Sequence, residues 1–145
     1  MASARSARKS EPTQIVLDSS FLISMLKERR DIIGEVRDAV HGPVDLVCLD
    51  LVICELARLA RKGSSETSRT ARLVLSNLGK WKIREVPAPF GPRNVDLVMT
   101  IYALVQKTRS VVATADKMLL EMLSKNRLQS VRPRSKSGLI SSWTD

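Results

Sequence analysis

The sequence predicts an α/β fold built around a parallel sheet, on three observations. Short apolar runs of strand character recur along the chain, at 15–17, 44–49, 82–86, 110–113 and 128–131. Segments of helical spacing with recognisable helix ends separate them. Strands joined through helices in this way pair in parallel by right-handed crossovers. Four acidic residues, Asp18, Glu55, Asp96 and Asp116, also sit where strands end or helices begin. In a parallel sheet that edge is where ligands bind.

The elements follow in order. Ile15 to Leu17 reads as a buried strand ended by Asp18 and Ser19, and 21–27 continues as a helix. A second short helix at 32–40 stops at Gly42-Pro43, which places His41 near its C-terminus. The strand at 44–49 is followed by Asp50, a candidate cap for a helix over 51–62 that ends at Lys62-Gly63. A helix over 65–79 stops at Gly79. The alternating stretch 82–86 reads as the third strand. The rigid loop PAPFGPR then leads to Asn94, a favourable N-cap for a helix at 95–107. Strand four at 110–113, a helix at 116–126 and a short fifth strand at 128–131 complete the pattern.

A chain of 145 residues, 43% apolar, makes one domain with a real core. Its apolar runs are far shorter than a membrane span. The polar start lacks the apolar centre of a secretory signal, so residues 1–13 are expected to form a disordered basic arm. The folded domain is expected over 14–134, and a flexible tail over 135–145. Cys48 and Cys54 lie in apolar segments without Cys-x-x-Cys spacing, which predicts buried, reduced thiols and a cytoplasmic location. A single histidine, His41, makes no His-pair metal site and no Ser/His or Cys/His nucleophile.

Charge narrows the function. The net charge is +9 and the pI about 10.2. Between 58 and 84, Arg58, Arg61, Lys62, Arg69, Arg72, Lys80, Lys82 and Arg84 face only Glu66, and 125–136 carries Lys125, Arg127, Arg132, Arg134 and Lys136 with no acid. Such patches suit a phosphate backbone. With 3% aromatic residues, stacking platforms for bases are scarce, so binding would rest on phosphates. Carboxylates gathered at one sheet edge repel unless a cation neutralises them. Each acid also has an ordinary use: Asp18 as a turn, Asp96 as a first-turn acid, Asp116 as an N-cap, Glu55 paired with Arg58 or Lys62. Glu55 is set among Leu51, Val52 and Leu59, where a carboxylate needs a reason. An acidic site in a basic protein points to metal-dependent chemistry on a polyanion.

The series VLDSSFLI, VICELARLA, VDLVMTIYALVQ and VVATADKMLLEML resembles the PIN-domain nucleases over about residues 14–134. The resemblance is to stand-alone archaeal-type members that group with ribosome-processing PIN nucleases and VapC toxins. It implies a three-layer fold, with a five-stranded parallel sheet in the order 3-2-1-4-5 and helices on both faces. It also places Asp18, Glu55, Asp96 and Asp116 at the family's acidic positions. Asp18, Asp96 and Asp116 would hold Mg²⁺ or Mn²⁺, with Ser19 and Thr114 as hydroxyls steadying the carboxylates. Arg58, Arg61, Lys62, Arg69, Arg72, Arg93, Arg132 and Arg134 would hold RNA, single-stranded or structured. The implied activity is endoribonucleolytic, in ribosomal RNA processing. The alternatives are a VapC-type toxin with an antitoxin partner and a non-catalytic RNA-binding protein. A homodimer and a ribosome-assembly partner are implied in the same way, and no membrane. The chain departs from the family pattern at Ala115, where many members carry Asn, at Met118, where close relatives often carry a further acid, and at Ser20, where Asn is common in other branches and Ser and Thr also occur nearby.

Overall fold

The computed structural model of the chain describes residues 11–91, 94–135 and 138–142. Its elements are β1 (Thr13–Leu17), α1 (Ser19–Lys27), α2 (Ile32–Val40), β2 (Val44–Leu49), α3 (Asp50–Ala60), α4 (Glu66–Asn77), β3 (Arg84–Val86), α5 (Val95–Val105), β4 (Ser110–Ala113), α6 (Lys117–Lys125), β5 (Gln129–Pro133) and β6 (Leu139–Ser142). The sheet order is β3-β2-β1-β4-β5-β6. The first five strands pair in parallel, as expected, with Ile15 between Leu46 and Val111. Central β1 is buried along its whole length, which explains its unbroken apolar run.

α1, α3, α5 and α6 each bury one apolar stripe against the sheet. Phe21, Leu22 and Met25 of α1, Val52 and Leu56 of α3, Val98 and Met99 of α5, and Leu119 and Leu123 of α6 are buried with the strands in one core. α1, α3 and α4 pack against one another, and α5 against α6. The helix starts follow the cap residues. Asn94 Oδ1 accepts from Leu97 N at 3.2 Å, Asp31 from Gly34 N at 3.1 Å and Ser65 Oγ from Ser68 N at 3.1 Å. His41 ends α2 in the left-handed conformation, φ 57°. Asp50 is different from the expectation: it is the first residue of α3, and its Oδ1 accepts from Ala88 N at 3.1 Å. It ties the loop after β3 to the sheet edge instead of capping its own helix.

Cys48 is buried and its thiol is pushed up to about 12, first by burial and then by the Asp18 and Glu85 charges. Cys54 is exposed, contrary to the expectation of two buried thiols. The buried stripe of α3 runs through Val52 and Leu56, and position 54 falls outside it. Among the described residues no helix is long and apolar enough to cross a membrane.

The tail expected to be flexible over 135–145 contains a strand. β6 pairs antiparallel with β5, Val131 opposite Ser141 and Pro133 opposite Leu139. Arg30 holds the turn that precedes it. Its guanidinium, with a side chain only 6% exposed, donates from Nε and Nη2 to Glu35 at 3.1 and 2.7 Å. It also reaches Glu28 Oε2 at 3.3 Å, Arg134 O at 2.8 Å and Gly138 O at 2.7 Å. Glu35 Oε1 in turn accepts from Gly138 N at 2.9 Å. Gly138 takes φ +79°, a backbone conformation open to glycine at little cost. Residues 1–10 of the basic arm, and Lys136, lie outside the described residues.

Candidate active site

Asp18 is the centre of the carboxyl edge. It follows β1 directly and caps α1, so its backbone is fixed by both elements. The residue is 5% exposed. Oδ1 accepts from Ser19 N at 2.9 Å, and Oδ2 from Ser20 Oγ at 2.7 Å and Thr114 Oγ1 at 2.8 Å. Burial pushes this carboxyl above its ordinary range. The Ser20 and Thr114 hydroxyls pull it back, and Glu55 adds to the push.

Thr114 follows β4 and is fully buried. Its Oγ1 accepts from Asp116 N at 3.0 Å while donating to Asp18, which couples the two strand ends. Asp116 caps α6 through Met118 N at 2.8 Å. Glu55, in the second turn of α3, accepts from Ser19 Oγ at 3.0 Å through Oε2 and pairs with neither Arg58 nor Lys62. Asp96 lies in the first turn of α5. Its carboxyl is held above the ordinary range by burial first, then by the charges of Asp116, Asp18 and Glu55. The structure therefore brings all four acids to one edge, within one another's field.

Among the described residues, ion pairs join Arg30 to Glu28 and Glu35 and Arg84 to Asp45, and none reaches these four acids. Nor do three Asp, Glu, His or Cys side chains there converge on a point that could hold a metal ion. Asp18 spends both oxygens on nearby donors and Glu55 one of its two, and like charges favour separated rotamers. Ser20, noted in the sequence only as a departure from the family pattern, is a further partner. Besides bonding Asp18, its Oγ accepts from Ala115 N at 3.1 Å. The second Ser of Asp-Ser-Ser, just beyond a capping Asp, was the available signal.

The basic residues divide. Arg58, Arg61, Lys62, Arg132 and Arg134 are exposed. Arg58 shares a concavity with Leu51, Cys54, Glu55 and Val95. Arg72 donates from Nη1 to Ala60 O at 2.7 Å and Gly63 O at 3.0 Å, and Arg69 to Ser64 O. Both guanidiniums thus fasten the α3–α4 turn. Arg93 lies outside the described residues. A concavity at the opposite, amino edge of the sheet, lined by Thr13, His41, Pro43 and Arg109, includes none of the four acids.

Five parallel strands in the order 3-2-1-4-5, with acids from four segments at their carboxyl edge and antiparallel β6 added at one side, make the PIN-domain fold. The solved structure of the PIN domain endonuclease Utp24 superposes with a TM-score of 0.74 at 17% identity, covering 92% of this chain and 97% of that one. A chain of VapBC-1 from nontypeable Haemophilus influenzae superposes with a TM-score of 0.56 at 19% identity, covering 81% of this chain and 96% of that one. No protein-family model matches the sequence, and no curated protein matches it. At these identities the likeness carries the fold.

Proposed function

We propose that this protein is a divalent-metal-dependent endoribonuclease acting in RNA processing, with ribosomal RNA the favoured substrate. One observation carries the reading: in a protein of net charge +9, four carboxylates share one edge and, among the described residues, no cationic side chain pairs with them. An all-oxygen donor set suits Mg²⁺ or Mn²⁺. Asp18, Asp96 and Asp116 would hold the ion, once their side chains turn from the separated positions they take here. Bound there, it supplies acidity to a water and offsets charge on the departing 3′ oxygen. The chain's own groups do the rest. Ser20 and Thr114 fix Asp18, Thr114 links it to Asp116, and Glu55, steadied by Ser19, has Oε1 to orient the attacking water. The exposed cations draw in the RNA backbone. The endonuclease named above superposes better than the VapBC-1 chain, and the basic extensions at 1–13 and 132–136 suit a large structured RNA.

The direct test is cleavage of a labelled RNA by purified protein. Activity should vanish in excess chelator and return with Mn²⁺ or Mg²⁺, leaving 5′ phosphate and 3′ hydroxyl ends because water attacks. Cleavage that persists in chelator would overturn the reading.

A second prediction needs no activity. Asp96 has an ordinary value of 3.8 that is raised on folding, so the folded chain binds its proton more readily than the unfolded one. Stability is then greatest where Asp96 is protonated, and falls as pH rises from 3.8 through the raised value. Asp96→Asn removes that loss. In chelator at neutral pH it should melt above wild type, by a margin that solvent screening of this part-exposed carboxyl keeps small. Adding Mn²⁺ should close or reverse the gap, because wild type gains binding free energy that the variant forfeits. A variant melting below wild type in chelator would remove the premise of uncompensated charge.

A further inference from the structure

We infer that Lys117, Arg132 and Arg134 form a subsite for an RNA backbone phosphate beside the four acids, one that engages a phosphate neighbouring the cleaved bond. This rests on the nuclease reading for its placement and deepens it. Three observations support it.

The first is register. Ala113 pairs with Val131, and Thr114 N donates to Val131 O at 3.1 Å. The residues just beyond, Arg132 to Arg134, therefore run beside Thr114 to Asp116. The basic end of β5 is level with the hydroxyl that holds Asp18. The second is shape. Ala115 and Lys117, the residues on either side of Asp116, line a concavity of about 170 Å³ together with Arg132 and Arg134, closed by Leu120 and Glu28. Its wall is thus one residue from a proposed metal-holding acid.

The third is charge. Among the described residues the side chains of Lys117, Arg132 and Arg134 have no hydrogen bond or ion pair. Arg72 and Arg84 have theirs committed, to backbone carbonyls and to Asp45. Glu28, the one acid of the concavity, bonds Arg30, so three cations face outward with little to offset them. The backbone under them is held in place. Arg134 O accepts from Arg30 Nη1 and Arg134 N donates to Gly138 O at 2.9 Å. A cationic hollow on a fixed backbone, adjoining a phosphodiester-cleaving edge, recognises a phosphate at little ordering cost. The departure at Ala115 helps, since a small side chain leaves the hollow open toward Asp116.

The test uses the full chain carrying Asp18→Asn and a short fluorescent single-stranded oligoribonucleotide of mixed sequence. Adding Lys117→Gln and Arg132→Gln should weaken binding about tenfold at low salt and reduce the log–log salt slope by roughly 0.7 for each phosphate left without its cation. Lys107→Gln, which removes one positive charge at the opposite edge, should move neither quantity appreciably. In the active protein the double change should raise KM more than it lowers kcat. A neutral methylphosphonate placed beside the cleaved bond should cost wild type affinity but cost the double variant little more, whereas the same replacement far from that bond should cost both equally. An unchanged salt slope, or losses that add at every backbone position, would overturn the subsite and leave the nuclease reading standing. If slope and affinity shift while no cleavage is found under any metal, the phosphate site stands and the nuclease reading falls.

Discussion

Asp18→Asn is expected to lower the RNA cleavage rate by about 10³-fold or more while the fold survives. Asp18 is the one acid of the four that is nearly sealed from solvent, and it receives the backbone of Ser19 and the hydroxyls of Ser20 and Thr114. The amide keeps Oδ1 for Ser19. At the other position it presents N–H groups to two hydroxyls that can turn to accept, because a hydroxyl holds two lone pairs and one proton. Loss of a buried charge that folding already disfavours offsets much of the rearrangement. What the variant cannot restore is the negative charge that would hold a cation. Single-turnover cleavage with Mn²⁺, read beside the melting temperature, separates the two effects. A folded variant within tenfold of wild type would remove Asp18 from the centre of the site.

Arg30→Ala is expected to have the largest effect on stability, a loss on the order of 3 kcal/mol. All five guanidinium donors are used, on two carboxylates and two carbonyls drawn from α1, α2 and the turn before β6. Truncation leaves Glu35 half-buried with only Gly138 N, and leaves Arg134 O and Gly138 O without that donor. For a chain of this size the melting temperature should fall by roughly 10 °C. The loss should not be uniform. β6 is an edge strand paired on one side only, so its amides should lose hydrogen-exchange protection before those of β1 or β4. Arg30→Lys should rescue little, since an ammonium cannot span both carboxylate oxygens and two carbonyls in a fixed plane. Unchanged protection at 139–142 in Arg30→Ala would show that strand pairing alone secures β6.

The sequence by itself determined the α/β class, the five parallel strands and most helix ends, because those signals are local. An apolar run such as Ile15–Val16–Leu17 declares a strand buried on both faces, and Asn94 and Asp116 mark helix starts through bonds to amides two or three residues on. The four acids were legible for the same reason: each stands out against its immediate apolar neighbours. Tertiary structure decided everything that depended on a distant partner. Glu55 looked placed to pair with Arg58 or Lys62 along its helix and instead receives Ser19, 36 residues away. Ser20 joins Asp18 to the β4 end across 95 residues, through Ala115 N. Arg72, one of a run of cations in sequence, is bound to carbonyls at the end of α3. β6 has too few apolar residues to announce itself, and forms because β5 offers an edge and Arg30, over a hundred residues earlier, pins its turn. Chain-local preferences are written in neighbouring residues, whereas hydrogen-bond partners and sheet edges exist only once remote segments have been packed together.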